Sequence, residues 1–444
     1  MAPWKLPTEV RSWIGQLSSL LHGRLAWRLL PLLVGVLFGQ GRRTVASWLR
    51  GGQLGDDFQA YYYLLGSLGS NVKSIAAALF RIAVRVIVPG DQLLVALDDT
   101  PTKRYGPLVE GAGIHHNPTP GPAEQKFLYG HVWVTLSWVV RHGLWGTIGL
   151  PLLALLYVRQ KNLASIAPKY KVKFQTKLEQ AAQLVEWAVQ TLRGMGKALW
   201  VVADGAYAKR PFLRRALAAG VVVVSRLRKD AALRSVPEPI APGQRKRGAP
   251  RKYGKDKISL AKRAGHRRGW QRGDFVLYGE KVCKTYKTFL ATYQPVGGVI
   301  RVVMVKETHG WFAYLCTKSD ASVQEILEAV ADRAAIEQNF HDLKEVHGAG
   351  KQQLRNYWAN IAAYHITMWW HTLIELWAWR KPHSELSDRS ASPWDDASRR
   401  PSHADRRNAL RRKCLESELQ RVGAASGISR KISRLCQRLL KLVA

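Results

Sequence analysis

Two continuous apolar runs that each stop at an acid constrain this chain more than any other feature. In "LLVALDDT" (Leu93–Thr100) the run gives way at once to Asp98 and Asp99; in "ALWVVADG" (Ala198–Gly205) it gives way to Asp204. A short run that is apolar at every position suits a strand buried on both faces, which needs helices above and below its sheet. The chain supplies them. "TKLEQAAQLVEWAVQTLRGMG" has Leu178, Ala181, Ala182, Leu184, Val185 and Ala188 near helical spacing, and "KRPFLRRALAAG" leads to a further strand, "VVVVSRL". Strands alternating with helices predict an α/β sheet, and ligands of such sheets bind at the carboxyl ends of the strands. Asp, Thr and Pro are also ordinary turn punctuation, so the "DDTP" segment alone leaves both readings open.

Charge narrows the partner. The 444 residues carry 68 Lys and Arg against 32 Asp and Glu, a formal net charge of +36. Such an excess opposes compactness unless it meets a polyanion. Nucleic acid fits, because neutralised phosphates release counterions; an anionic membrane is the rival. The apolar run "GLWGTIGLPLLALLYV" (Gly143–Val158) is shorter than the ~18–20 residues a spanning helix needs. It contains Pro151 and three glycines and suits a buried strand pair, while "RLLPLLVGVLFGQ" reads as a core helix. No membrane partner is therefore expected, and no cleavable signal is evident. Cys283, Cys316, Cys414 and Cys436 show no CxxC spacing, which predicts neither a zinc site nor a disulfide framework and fits a reducing, cytoplasmic compartment.

Five regions are expected. Residues 1–88 read as a helical DNA-binding region, in which "RRTVASWLRG" resembles the start of a small helix-turn-helix. Residues 89–227 hold the strand–helix alternation. Residues 228–320 read as an antiparallel β insertion whose stretch 244–272 holds twelve Lys or Arg and one acid, Asp256. Arg245, Lys246, Arg247, Arg251 and Lys252 in that stretch are its candidate DNA contacts. Residues 321–380 return to helix, and 381–444 read as a basic linker, rich in Ser and Pro and flexible, followed by a helix.

The third acid lies on "QEILEAVADRAAIEQNFHDLKEVHGAG". At about 100° per residue, Arg333, Glu337 and Lys344 fall within about 40° of one another. Alone, that stripe also fits an exposed salt-bridged face. With the two strand-end acids it makes a set of hard oxygen ligands of the kind a pair of Mg²⁺ ions requires.

The order strand–Asp, strand–Asp, helix–Glu resembles the ribonuclease-H-like core of DDE insertion-sequence transposases, in the group with a β-strand insertion before the glutamate. That group's signature is Tyr, two residues, Arg, three residues, Glu, six residues, Lys. "VADRAAIEQNFHDLK" carries Arg333, Glu337 and Lys344 at these spacings, with Val330 in place of the tyrosine. The 132 residues between Asp204 and Glu337 leave room for the insertion. The resemblance implies a mixed sheet flanked by helices, with Asp98 (rather than Asp99), Asp204 and Glu337 as catalytic metal ligands. It implies terminal-phosphate contacts for Arg333 and Lys344. Two Mg²⁺ ions, with Mn²⁺ as substitute, would support cleavage at the element's ends and attack of the freed 3′-hydroxyl on target DNA, with a homodimer plausible on DNA. A ribonuclease-H-like nuclease that does not join strands, or a catalytically silent DNA-binding relative, is the alternative. Trp270 could stack on a flipped base but suits packing better. His115 and His116 read as loop residues, and His341 and His347 as helix-surface residues.

Overall fold

In the computed structural model, which describes residues 4–117, 125–238, 249, 251–389, 392, 394–396 and 398–426, five helices come first. They are α1 (Thr8–Ser18), α2 (Gly23–Phe38), α3 (Val45–Gly51), α4 (Phe58–Ser70) and α5 (Val72–Val86). Strands β1 (Gln92–Lys103), β2 (Gly113–His116), β3 (Phe127–His142) and β4 (Gly146–Tyr157) come next. Then come α6 (Lys177–Thr191), β5 (Ala198–Ala203), α7 (Arg210–Ala218) and β6 (Val222–Leu227). The inserted region forms β7 (Leu233–Arg234), β8 (Lys257–Ile258), α8 (Leu260–Gly265), β9 (Gln271–Leu277), β10 (Glu280–Tyr293), β11 (Gly298–Glu307) and β12 (Gly310–Cys316). Helices α9 (Val323–Asp332), α10 (Ala334–Glu345), α11 (Tyr357–Ala378), α12 (His383–Leu386) and α13 (His403–Ser426) complete the described chain.

The core of the sheet runs β4-β3-β1-β5-β6. Strands β1, β5 and β6 are parallel, and β3 is antiparallel to both β1 and β4. This is the α/β, ribonuclease-H-like arrangement that the sequence predicts. The inserted strands do not form a sheet of their own. Strand β12 pairs antiparallel with β6, so β12, β11 and β10 continue the core sheet outward.

Helices α6 and α9 are each started by a local signal. Thr176 and Glu179 close a capping box on α6, and Ser322 and Glu325 close another on α9, each satisfying donors that the first turn leaves open. The expected strand pair at Gly143–Val158 is instead one strand, β4. Its irregularity is absorbed by a bulge at Leu136/Ser137, opposite Pro151, which cannot donate to the ladder.

Helix α11 is buried on nearly every side, which its apolar character all round requires. It lies between β4 and the amino-terminal helices. Its side chains cover backbone groups of β4: Trp369 Nε1 donates to Leu152 O (3.2 Å), Thr372 Oγ1 to Pro151 O (2.7 Å), and His365 Nε2 accepts from Ala154 N (3.1 Å). The other side of α11 meets α4 so closely that a Cβ on Gly69 would collide with the Trp358 backbone. Helix α3, the helix-turn-helix-like segment, is anchored by Trp48, which is fully buried. Within the segment read as a linker, Arg389 pairs with Asp395 (2.9 Å) and Asp405 (3.5 Å). Among the described residues no helix is long and apolar enough to cross a membrane.

Candidate active site at the strand ends

Alternation along β1 sends its two neighbouring acids to opposite faces of the sheet. Leu93, Val95 and Leu97 belong to the core that contains α6, whereas Ala96 packs with Trp200, Val202, Ala335 and Ile336 on the face covered by α9 and α10. Asp98 continues the second series and Asp99 the first. Strand β1 does not end at its acids as the sequence predicts: it runs on to Lys103 along β3, and only its parallel pairing with β5 stops, at Leu97↔Ala203, which brings Asp98 and Asp204 to adjacent places. Asp204 continues the phase of Trp200 and Val202 and shares their face.

Helices α9 and α10 are held over that face at one point each. Asp332 accepts from Arg141 Nη2 (2.7 Å) and Thr147 Oγ1 (2.7 Å) at the β3–β4 hairpin. Just beyond Glu337, Asn339 donates to Gly149 O (2.9 Å) at a contact so close that a Cβ on Gly149 would strike the Asn339 side chain. The single helix expected from the sequence is two helices that meet at Arg333, where Ile336 N bonds back only three residues to Arg333 O (3.0 Å).

Arg333 stands between two of the acids. Its Nη1 donates to Asp98 Oδ2 (2.8 Å) and its Nη2 to Glu337 Oε1 (2.7 Å). Asp204, Glu337, Arg333 and Val330 line one cavity of about 240 Å³, together with Tyr278 and Tyr314. Burial pushes the Asp98 carboxyl up to about 6. Arg333 and the Asp99 backbone N–H, which donates to Asp98 Oδ1 (2.8 Å), oppose that rise, while the charges of Asp99 and Asp204 add to it. Asp204 and Glu337 thus face one space, and Asp98, which is not part of the cavity wall, is joined to Glu337 through the Arg333 guanidinium. The carboxylate oxygens of the three acids do not all fall within 4.8 Å of one another.

Two family models cover this architecture. Residues 16–272, more than half of the chain, match that of the DDE superfamily endonucleases, and residues 176–373 match the transposase DDE domain. The chain belongs to the DDE superfamily of endonucleases. No curated protein matches it.

The endonuclease carries a second concavity against Asp204, of about 470 Å³, where Arg226, Arg228 and Lys229 meet Trp311 and Phe312. The Arg226 guanidinium lies 4.2 Å over the Phe312 ring and the Lys229 ammonium 5.2 Å from that of Trp311. Sequence reasoning passed over these residues, although "SRLRK" lies at the end of a third parallel strand that reaches the same edge. The aromatic partners carry no such signal, because β12 reaches the site only through the pairing of the insertion with β6. Val330 does line the cavity at the signature's tyrosine position, and the phenols there come from Tyr278 and Tyr314.

Other expected residues lie elsewhere. Lys344 is two turns beyond Glu337 on α10 and is not part of the cavity wall. Arg251 and Lys252 are exposed in the insertion, while Arg245, Lys246 and Arg247 fall outside the described residues. Trp270 packs against the core with Lys287 Nζ 4.8 Å over its ring, a packing role. His115 and His116 form the short strand β2 rather than a loop. His341 is exposed, but His347 is buried, contrary to expectation.

His347 belongs to a buried knot. Its Nε2 meets His403 Nε2 (2.8 Å), His403 Nδ1 donates to Glu375 Oε1 (2.5 Å), and Arg406 Nε reaches the same carboxylate (3.0 Å). The ligand atoms of His371, Glu375 and His403 lie within 4.8 Å of one another, the one such group among the described residues. The His371 and His403 rings stack face to face, 3.9 Å apart and 13° from parallel. An ion lies in the plane of each imidazole that binds it, so stacked rings do not converge on one ion. The knot fastens α13 to α10 and α11 and contributes nothing to the cavity at Asp204.

Proposed function

We propose that this endonuclease is the transposase of an insertion sequence, which cuts DNA at the element's ends and joins the freed 3′-hydroxyls to target DNA. The observation that carries this reading is the register Leu97↔Ala203, which puts Asp98 beside Asp204 on the sheet face where α10 presents Glu337. The acids gathered there are hard oxygen donors, the donor set that suits Mg²⁺ or Mn²⁺ over softer metals. Three acids that do not converge on one point would share a pair of ions rather than grip a single one.

In this reading Asp98, Asp204 and Glu337 hold two divalent ions, whose Lewis acidity supports both phosphodiester hydrolysis and strand joining. Asp98 contributes its charge only when ionised, and Arg333 favours that form. Arg333 also contacts a phosphate of the element's end in this reading, as the resemblance implies, and Lys344 continues its stripe along α10. The concavity of Arg226, Arg228 and Lys229 gives the strand that leaves Asp204 a cationic bed with aromatic walls. Arg245, Lys246, Arg247, Arg251 and Lys252 extend the contact through phosphates. In this reading the protein works as a homodimer on paired ends, in the cytoplasm, and at the nucleoid if its host is bacterial.

The test uses DNA that flanks the gene, with Mg²⁺ and a plasmid target. Cleaved ends covalently joined to the target support a transposase. Cleavage without joined product would make it a nuclease, and binding without cleavage a silent relative.

A further inference from the structure

Asp99 is half-buried on the face opposite Asp98, yet it is tied to the other strand-end acid. Its Oδ1 accepts from Tyr207 Oη (2.9 Å) and its Oδ2 from Lys177 Nζ (2.6 Å) at the first turn of α6. Tyr207 closes the short 3₁₀ turn Gly205–Tyr207 that begins directly after Asp204, and it is buried, with its ring edge-on to Phe212 (6.1 Å). The same turn is capped by Asp204 itself, whose Oδ2 accepts from Ala206 N (3.4 Å). From the far side, Ser225 Oγ on β6 donates to Asp204 O (3.1 Å). The peptide that carries Asp204 is therefore clamped from both neighbouring strands, by Ser225 through its carbonyl and by Asp99 through Tyr207.

We propose that Asp99 is a positioning residue, which fixes Asp204 relative to Asp98 by holding the Tyr207 hydroxyl. The adjacent acids then have distinct tasks: Asp98 meets Arg333 on the face covered by α10, and Asp99 uses the opposite face to set the spacing of the two acid-bearing strands. Lys177 keeps the Asp99 carboxylate aimed at Tyr207 and compensates a charge that would otherwise sit unopposed beside Asp98. Burial and the surrounding acids hold the Tyr207 phenol well above its ordinary range, so it remains a donor at every working pH. Displacing a metal-binding carboxylate by even a fraction of an ångström weakens its grip, because supporting contacts orient the ligands. The inference rests on the reading of Asp98, Asp204 and Glu337 given above.

The full-length protein with Tyr207→Phe, Asp99→Asn and the pair together tests it, bound to its DNA end and titrated with Mn²⁺. Bound Mn²⁺ is read by electron paramagnetic resonance and cleavage by gel. Each single variant is expected to need about tenfold more Mn²⁺ for half-saturation, with DNA affinity unchanged and cleavage restored at high Mn²⁺. The double variant should be no worse than the singles, because both remove one link. Wild-type Mn²⁺ dependence in both singles overturns the proposal, as do additive effects. Asp99→Asn as inactive as Asp98→Asn beside a normal Tyr207→Phe also overturns it, since Asp99 would then bind metal directly. Asp204→Asn is the reference: if it cleaves normally, the site reading itself fails. If it is inactive while the Tyr207 and Asp99 variants behave as wild type, only the positioning role fails.

Discussion

Arg333 and Asp98 form an ion pair (2.8 Å) between residues 235 positions apart, and the same guanidinium reaches Glu337 (2.7 Å). The pair is the physical link between the strand-end acids and the helix that carries the third. It also explains how a buried carboxyl beside two other acids is held ionised at neutral pH.

Asp98 should trade stability for activity. Its folded pKa of about 6 lies above its unfolded value, so the folded state binds the extra proton between the two values. Stability from this group is thus fully present in acid, below the unfolded value, and is lost as pH rises through about 6. Asp98→Asn, an isostere of the protonated acid, should raise stability at pH 7.5 by about 2 kcal/mol while abolishing cleavage. Paired urea melts and cleavage assays check both. The wild-type cleavage rate at limiting Mg²⁺ should fall as pH drops through about 6 rather than through about 4.

Arg333→Gln removes the charge that Asp98 and Glu337 share. Cleavage should drop at least ~30-fold, as for loss of a charge-assisted bidentate contact. Because the guanidinium also keeps Asp98 ionised, the acid limb of the pH–rate profile should move to higher pH. A drop with an unmoved profile would confine Arg333 to phosphate binding.

Glu337 projects from α10 with a side chain that is mostly exposed, so Glu337→Gln should leave the fold and DNA affinity within a factor of about two. Cleavage should be lost altogether. A Glu337→Gln protein that still cut DNA would remove α10 from the site.

Phosphate contacts by the insertion should make affinity salt-dependent. Replacing Arg251 and Lys252 together by Ala should lower the slope of log K against log[salt] by about two, uniformly across DNA sequences. Fluorescence anisotropy between low and moderate salt measures the slope.

The buried knot at the C-terminal helix should make the protein acid-labile. Burial first, then the neighbouring histidines and arginines, hold His347 and His403 well below 6.5, so both are neutral in the fold. Groups with depressed folded pKa values add stability that is complete above the unfolded value and lost as pH falls below it. Between pH 7.5 and 5 the unfolding free energy should fall, by up to ~1.4 kcal/mol per histidine per pH unit below 6.5. Urea melts across that range measure it. His403→Gln should begin less stable and respond less to pH. Glu375, Asp342, His371, Arg406, Arg407 and Arg43 face the knot; the two carboxylates favour a protonated histidine there, and the three arginines oppose it.

The sequence by itself determined the elements and the chemistry at their ends. Unbroken apolar runs at Leu93–Leu97 and Leu199–Ala203 force two-sided burial, and the parallel pairing of these runs sets Asp98 beside Asp204 where the pairing stops, although β1 itself continues to Lys103. The i, i+4 spacing of Arg333 and Glu337 fixed their ion pair, since that relation is local to a helical turn. What remained open needed contacts distant in sequence. Asp98 and Asp99 are chemically equivalent as neighbours, and only the placement of α10 on one face and of Lys177 and Tyr207 on the other separates them. The pairing of β12 with β6, which brings Tyr314, Trp311 and Phe312 to Asp204, joins segments that no local pattern connects. The burial of His347 depends on His403, 56 residues away. Periodicity reports which face of an element is apolar; which partner covers that face is decided by packing over the whole chain.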